Sequence, residues 1–360
     1  MELFKYKIIL KKNNTSDIIR LDNNYVNFKF FNYSNVIIDI KEINLYYLPS
    51  SIFQYFFSKH KLSLKYIYLR NIILSYKPII LIGYNIDIII YKCKELCPEI
   101  ITIIYQHNII YDYMIENYRK LYSSCKSDYF LVFDNRHREI FSKFINSKYI
   151  LSGSVKNNEI ALKKKDKDYT IMYISEFRNY PKDHYRSIAE KNIVDILADY
   201  CKNTNNKMCI ALSSLRAEKK SKLNINDELK FFDQENNNYF VEPINSYELA
   251  NKSELCVNLS SNLGPELLAR GFKVLFLSIL ELYDKNLKHP YYGADSPLFY
   301  CGLDRQIIFS KINYLLKINK IEYNKVLNNS NFDIGFDKGN TILKKIIKEH
   351  LDSNSNVAIS

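Results

Sequence analysis

Tryptophan is absent from this 360-residue chain, and glycine and proline occur only 8 times each. Glycine-built signatures are missing with them. There is no GxGxxG dinucleotide fingerprint, no GxxxxGK[ST] phosphate loop and no GxSxG nucleophile elbow. No run of about 18 apolar residues occurs, so no transmembrane helix is expected. Met1 to Leu10 alternates charged and apolar residues and is not expected to be a secretory leader. The D-x-D pair of metal-dependent sugar transferases finds no matching context: Asp166 and Asp168 fall in a lysine-rich stretch, and Asp134 and Asp295 stand apart. No metal site is therefore expected. The seven cysteines (93, 97, 125, 201, 209, 256, 301) are odd in number and irregular in spacing. Cys93 and Cys97 share a helix face but lack a second Cys or His pair for zinc, so reduced, buried thiols of a cytoplasmic protein are expected.

What is abundant is Asn, Ile, Lys and Tyr, a bias typical of AT-rich coding, which lowers the information in any single Asn or Lys. Apolar content is 47% and charged content 25%, ordinary for a globular protein. The net charge of +12 is spread along the chain, with its densest run at Lys163 to Lys167. Solvated lysines are the first reading, and attraction to an anionic membrane surface is the second. No RNA-binding aromatic signature or helix-turn-helix pattern is present, so nucleic acid is not an expected partner.

The chain alternates short apolar strands with helices. Strands are expected at Val36–Ile40, Pro78–Gly83, Ile100–Tyr105, Tyr129–Phe133 and Lys148–Leu151. Helices are expected at Ser50–Lys59, Asp87–Cys97, Ile109–Ser124 and Arg136–Phe144. After Ser154 the segment VKNNEIALKKKDKD reads as a linker, and the pattern restarts. Strands at Tyr169–Ile174, Lys207–Leu212, Tyr239–Val241, Leu255–Leu259 and Lys273–Leu277 are separated by helices at Ser187–Cys201, Asn226–Phe232, Ser246–Ala250 and Glu266–Arg270. Uninterrupted apolar strands between helices imply parallel sheets covered on both faces. The expected fold class is α/β with two Rossmann-like domains, residues 1–154 and 169–351, joined by a linker at 155–168 and followed by a frayed tail at 352–360. In such folds ligands bind beyond the carboxyl ends of the strands, and the gap between two facing sheets is the natural site.

Those strand ends nominate the chemistry. Ile100–Tyr105 delivers Gln106, His107 and Asn108; a histidine there could be a general base, could bind a sugar or phosphate, or could be a surface residue at a helix start capped by Asn108. Tyr169–Ile174 delivers Ser175, Glu176 and Arg178, and Lys207–Leu212 delivers Ser213, Ser214 and Arg216. Either arginine could clamp a phosphate through two parallel bonds, although surface arginines are common. The strongest local signal is Ser260, Ser261, Asn262 and Gly264, which open a short helix with Pro265 near its start. Unpaired N–H groups and hydroxyls there suit a phosphate. Glu266 either complements the helix dipole or bonds a ribose hydroxyl. The loop KHPYYGADSPLFYCG, with His289 and Asp295, is either a lid or a surface excursion.

With these residues in view, SSNLGPELLARGFKVLFLS resembles the S-S-T-L-G-x-E-x-L-A-R-G-x-K-V segment of bacterial GT-B glycosyltransferases of surface polysaccharide assembly, similar to capsule-type Kdo transferases. IITIIYQHNII and SDYFLVFDNRHREIFSKFINSKYILSGSVKNN resemble further segments in the same order, and the similarity spans roughly residues 75–345. Asn262 stands where Thr is usual, and Asn108 where Gly is common. The resemblance implies a nucleotide-sugar donor, CMP-linked in the Kdo case, held by Ser260, Ser261, Asn262, Gly264 and Glu266. It implies Gln106 and His107 on the acceptor side, and a polysaccharide or lipid-linked saccharide acceptor. No cofactor and no metal are implied. A sugar-nucleotide epimerase, a polyol-phosphate transferase and a non-catalytic nucleotide-sugar-binding protein remain alternatives.

Overall fold

The computed structural model describes residues 7–21, 34–38, 42–57, 63–163, 165–213, 225–232, 239–242, 244–293, 296–330 and 332–357. The chain forms two units: Met1–Asn108 with Glu116–Ile160 and Gly335–Ser360, and Ile109–Ile115 with Ala161–Ile334.

The elements up to residue 160 are β1 (Lys7–Ile9), β2 (Ile18–Arg20), β3 (Asn35–Ile37), β4 (Glu42–Asn44), α1 (Leu48–Phe57), α2 (Leu64–Ser75), β5 (Ile80–Tyr84), α3 (Ile88–Leu96), β6 (Ile101–Tyr105), α4 (Asp112–Tyr122), β7 (Cys125–Val132), α5 (Asn135–Ser142), β8 (Ile145–Leu151) and α6 (Val155–Glu159). The main sheet of the first unit has the order β3-β2-β5-β6-β7-β8, all parallel. β1 and β4 pair separately, also in parallel. The β-branched runs ILIGY and ITIIY are buried on both faces, as strands between two helical layers must be. Short polar side chains start the helices: Asp87 accepts from the Ile89 amide, Asp134 from the His137 amide and Ser154 from the Asn157 amide.

The second unit contains β9 (Tyr169–Ile174), α7 (Tyr185–Thr204), β10 (Met208–Ala211), α8 (Ile225–Phe232), β11 (Tyr239–Val241), α9 (Ser246–Asn251), β12 (Ser253–Asn258), α10 (Leu263–Ala269), β13 (Lys273–Leu277), β14 (Phe299–Tyr300), α11 (Arg305–Lys317) and α12 (Lys320–Asn328). Its parallel sheet runs β11-β10-β9-β12-β13-β14. Chain order reverses between β9 and β12, the switch point at which doubly wound sheets open a crevice beyond their carboxyl ends.

The fold is therefore α/β with two Rossmann-like parallel-sheet units, as the strand–helix alternation implies. The division along the chain differs from the expected 1–154 and 169–351. The last helix, α13 (Thr341–Val357), packs Leu343, Ile346, Ile347 and Leu351 onto Ile80, Ile82, Ile103 and Leu131 of the first unit's sheet. It also continues through most of the stretch expected to fray. The returning chain is held by Gly153, which bridges Phe336 in antiparallel fashion at φ +70°; a Cβ there would collide with the Gly335 carbonyl. Asn340 Nδ2 donates to the Val155 carbonyl at 2.9 Å. β1, β2, β4, α2, α6 and β14 were not expected, and α6 falls in the segment expected to be the linker, where Ser154 caps it. β2 is only three residues long and includes a buried Arg20. α2 (LKYIYLRNIILS) spreads apolar residues around its axis, which blurs a 3.6-residue period.

Candidate functional site

At the second unit's switch point, the residues following β9 meet those following β12. The Glu176 carboxylate accepts from the Ser260 amide, and the Ser260 hydroxyl donates to it at 2.5 Å. Arg186 Nη1 lies 3.9 Å from the same carboxylate. Arg186 and Ser187 belong to the first turn of α7, a 20-residue helix whose front carries about half a positive charge. Glu176, Arg178, Arg186, Ser187, Glu190 and Leu259 line a recess of about 70 Å³ here. Glu190, on α7, is buried and accepts from the Glu176 amide at 2.6 Å and the Tyr173 hydroxyl at 3.2 Å. Burial pushes its carboxyl up to about 8, so it holds its proton at neutral pH. Tyr111 also reaches this point: its hydroxyl donates to the Ser260 carbonyl at 3.4 Å. Burial raises that phenol above its ordinary value.

The turn from Ser260 to Gly264 is built as follows. Ser260, Ser261 and Asn262 are half-buried, while Leu263 and Gly264 are buried. The helix spans Leu263–Ala269, starting three residues before the expected Glu266, and Pro265 is its third residue. Ser261 Oγ accepts from the Leu263 amide at 3.3 Å, and Asn262 Oδ1 accepts from the Ile109 amide at 3.1 Å. The Gly264 amide is used too, donating to the Ser261 carbonyl at 3.1 Å. Much of the turn's polar capacity is thus spent within the protein, with the Glu176 carboxylate in the position of an anion at Ser260. Glu266 is buried and accepts from the Tyr247 hydroxyl.

The other expected donor residues divide. Ser175 is buried and donates to Glu228 at 2.5 Å, and the Ser213 amide donates to the same carboxylate at 2.9 Å. Glu228 therefore ties the two strand-end loops together. Arg178 is exposed at the recess and donates to the Phe177 carbonyl at 2.8 Å. Arg216 lies outside the described residues.

In the first unit, His107 follows β6. Its amide donates to Asn85 Oδ1 at 2.9 Å, and its ring lies 5.3 Å from that of Tyr84. Burial, with the Lys156 charge adding to it, pushes the imidazole down to about 4. It is neutral across the physiological range and can accept a proton. Gln106 is buried: its Oε1 accepts from the Phe133 amide at 2.9 Å and its Nε2 donates to the Asn108 carbonyl at 2.7 Å. Gln106 thus fixes the loop that carries His107, and Asn108 contributes its backbone to that arrangement. Asn85, at the end of β5, is buried, and its Nδ2 has no hydrogen-bond partner among the described residues.

Three residues at these sites carry little sequence signal. Arg186 and Glu190 sit in the first and second turns of a helix, away from any strand end. Asn85 stands in an ordinary strand-to-helix turn, distinguished only by following the apolar run ILIGY. His289, expected in a lid or a surface loop, is instead interior, with its ring 5.1 Å from Phe276 and 5.3 Å from Phe299; Asp295 lies outside the described residues. All seven cysteines are free thiols, six buried and Cys301 half-buried. Among the described residues no group of three or more His, Cys, Asp or Glu could hold a metal ion, and no helix is long and apolar enough to cross a membrane.

Known structures share this architecture. UDP-GlcNAc 2-epimerase from Neisseria meningitidis, solved bound to UDP-GlcNAc, superposes with a TM-score of 0.53 at 13% identity, covering 95% of this chain and 100% of that one. The UDP-GlcNAc 2-epimerase of Methanocaldococcus jannaschii, in complex with UDP-GlcNAc and UDP, gives 0.50 at 14% identity over 94% and 100%. The wall teichoic acid polymerase TagF gives 0.50 at 12% identity over 96% and 91%. At such identities the likeness is one of fold, the two-domain GT-B type. No curated protein matches the chain. Residues 107–351, which include both the His107 loop and the Glu176–Ser260 contact, match the family described as "putative O-antigen biosynthesis protein", and the chain belongs to that family.

Proposed function

We propose that this protein is a glycosyltransferase of surface polysaccharide assembly, moving a sugar from a nucleotide-sugar donor to a saccharide or lipid-linked saccharide acceptor. The observation that carries the reading is the recess at the β9–β12 switch point, where Arg178, Arg186 and the front of α7 gather positive charge beside Ser260. A leaving nucleotide gains negative charge as the glycosidic bond breaks. Fixed guanidinium groups and helix amides stabilise that charge without reorganising. The Ser260 donors serve the phosphate once the Glu176 carboxylate gives way. Ser261, Asn262 and Gly264 shape the turn, Ser175 and Ser213 hold the neighbouring loops through Glu228, and Glu266 ties its helix to Tyr247 of α9. His107, neutral at physiological pH, takes the acceptor hydroxyl proton, with Gln106 and Asn85 fixing its loop.

A second reading is a sugar-nucleotide epimerase. It is favoured by the adjacency of Glu176 and Glu190, the latter a proton-carrying carboxyl at the same recess. A buried carboxyl that carries its proton, beside a second carboxyl, suits removal and return of a proton.

Melting shifts with CMP, UDP, GDP and CDP, followed by mass spectrometry of products from the matching nucleotide sugars, separate the two. Transfer that needs an added acceptor supports the glycosyltransferase. Conversion of the nucleotide sugar with no acceptor present supports the epimerase. No shift with any nucleotide and no product would remove both.

A further inference from the structure

Helix α1 buries the wrong side of its sequence. Its ten residues, LPSSIFQYFF, carry no charge, and the residue it buries is Ser51. The Ser51 hydroxyl donates to the Tyr47 carbonyl at 2.7 Å and accepts from Asn71 Nδ2 of α2 at 2.9 Å. The aromatic side faces outward, with Phe53 63%, Phe56 74% and Phe57 73% exposed. Together with Leu45 and Ile52 these rings line an open apolar groove. Isolated exposed apolar residues need no explanation, but a contiguous aromatic face does.

Along the chain, the charge that follows this face has one sign. From Leu45 to Ile86 the sequence contains Lys59, Lys61, Lys65, Arg70 and Lys77 and no Asp or Glu. Lys65 is exposed on α2, the helix that Ser51 joins to α1. An uncharged aromatic helix followed by cations alone matches an interface with apolar interior and anionic surface. A water-facing helix would carry charges of both signs, and a self-associating apolar face gains nothing from a one-signed surround, which repels its own copy.

We propose that α1 is a membrane-docking element. It lies in the plane of an anionic bilayer, with Phe53, Phe56 and Phe57 inserted among the acyl chains and the neighbouring lysines on the lipid headgroups. This contact is independent of the group the protein transfers or converts.

The test is sedimentation of the full chain with vesicles of phosphatidylcholine alone and of phosphatidylcholine mixed with phosphatidylglycerol. Binding is expected to the anionic vesicles and to weaken with added salt. The paired exposed substitutions Phe56→Ser and Phe57→Ser should weaken it tenfold or more, with the melting temperature retained. A second measurement uses the absence of tryptophan: Phe57→Trp introduces the sole indole, whose emission should shift to the blue and be quenched by brominated lipid. Equal binding to neutral and anionic vesicles, or binding unaffected by the paired substitutions, would overturn the proposal. So would a concentration-dependent dimer that the same substitutions abolish, since that would make a second copy the occupant of the groove.

Discussion

Gly264 and Asn258 occupy one another's space. A Cβ built on Gly264 would fall 2.5 Å from both Cγ and Nδ2 of Asn258, a buried side chain that donates to the Ser261 carbonyl at 3.1 Å. The missing side chain at Gly264 therefore serves the turn's own packing. Gly264→Ala is expected to cost about 1–3 kcal/mol through overpacking, read as a fall in melting temperature. Combining it with Asn258→Ala should recover most of the part due to the clash. Strictly additive losses would show that the two positions do not compete.

Glu176 is the anion already present at Ser260. Glu176→Gln keeps its shape and removes the negative charge from the recess. Nucleotide diphosphates should then bind more tightly, by about tenfold if roughly 1.4 kcal/mol of repulsion is relieved. The unliganded protein should lose stability, because a charge-assisted hydrogen bond becomes a neutral one. Calorimetric titration of both proteins with the same nucleotide checks this; weaker binding by the variant would mean that the carboxylate helps hold the ligand.

Glu190 gives stability a definite pH slope. Its folded value, about 8, lies above the ordinary 4.5. Its contribution is therefore complete below about 4.5 and is lost as pH rises through about 8, because the folded chain must give up a proton that the unfolded chain has already released. Glu190→Gln should flatten denaturant-derived stability over that window. An unchanged slope would assign the effect to other groups.

His107 shifts the other way. The unfolded chain protonates it near 6.5 and the folded chain only near 4, so stability falls as pH drops from about 6.5 through about 4. The acid limb of kcat/KM should follow the lower value, leaving no histidine-like step between pH 5 and 7. His107→Gln should lower turnover roughly 10²–10⁴-fold while leaving nucleotide binding by the second unit intact. Retained turnover would remove His107 from the reaction.

Ile347 of α13 is fully buried on the first unit's sheet. Ile347→Ala should cost about 2–4 kcal/mol. Hydrogen exchange should accelerate in β5 and β6 and not in β9 or β12, although α13 follows the second unit in the chain.

Much of this architecture was legible because buried parallel strands announce themselves: IITIIY, YTIMYI and KVLFL are apolar on both faces, and short polar caps mark the helices between them. The carboxyl ends of those strands also located the Ser260 turn and the His107 loop. The harder part was tertiary. Nothing in the composition of TILKKIIKEHL says which sheet it will cover, because an amphipathic helix fits either. Arg186 and Glu190 reach the recess through the pitch of α7, and Asn85 reaches the His107 loop through the alignment of β5 beside β6. Glu176 stood in plain view after β9, yet its pairing with Ser260 depends on β9 and β12 being neighbours, a register that only the folded sheet supplies. In α1 the aromatic spacing read as an ordinary helix, and only the packed structure reveals which side of it remains uncovered.

The return of α13 has a consequence for synthesis. A ribosome delivers residues 109–334 before the strip that covers Ile80, Ile82 and Ile103 has been made. The later half of the polypeptide can therefore mature first, while the earlier half waits with an apolar sheet face open to solvent. A nascent chain arrested near residue 330 should be a chaperone client through its N-terminal portion, and release of the last turns should end that dependence.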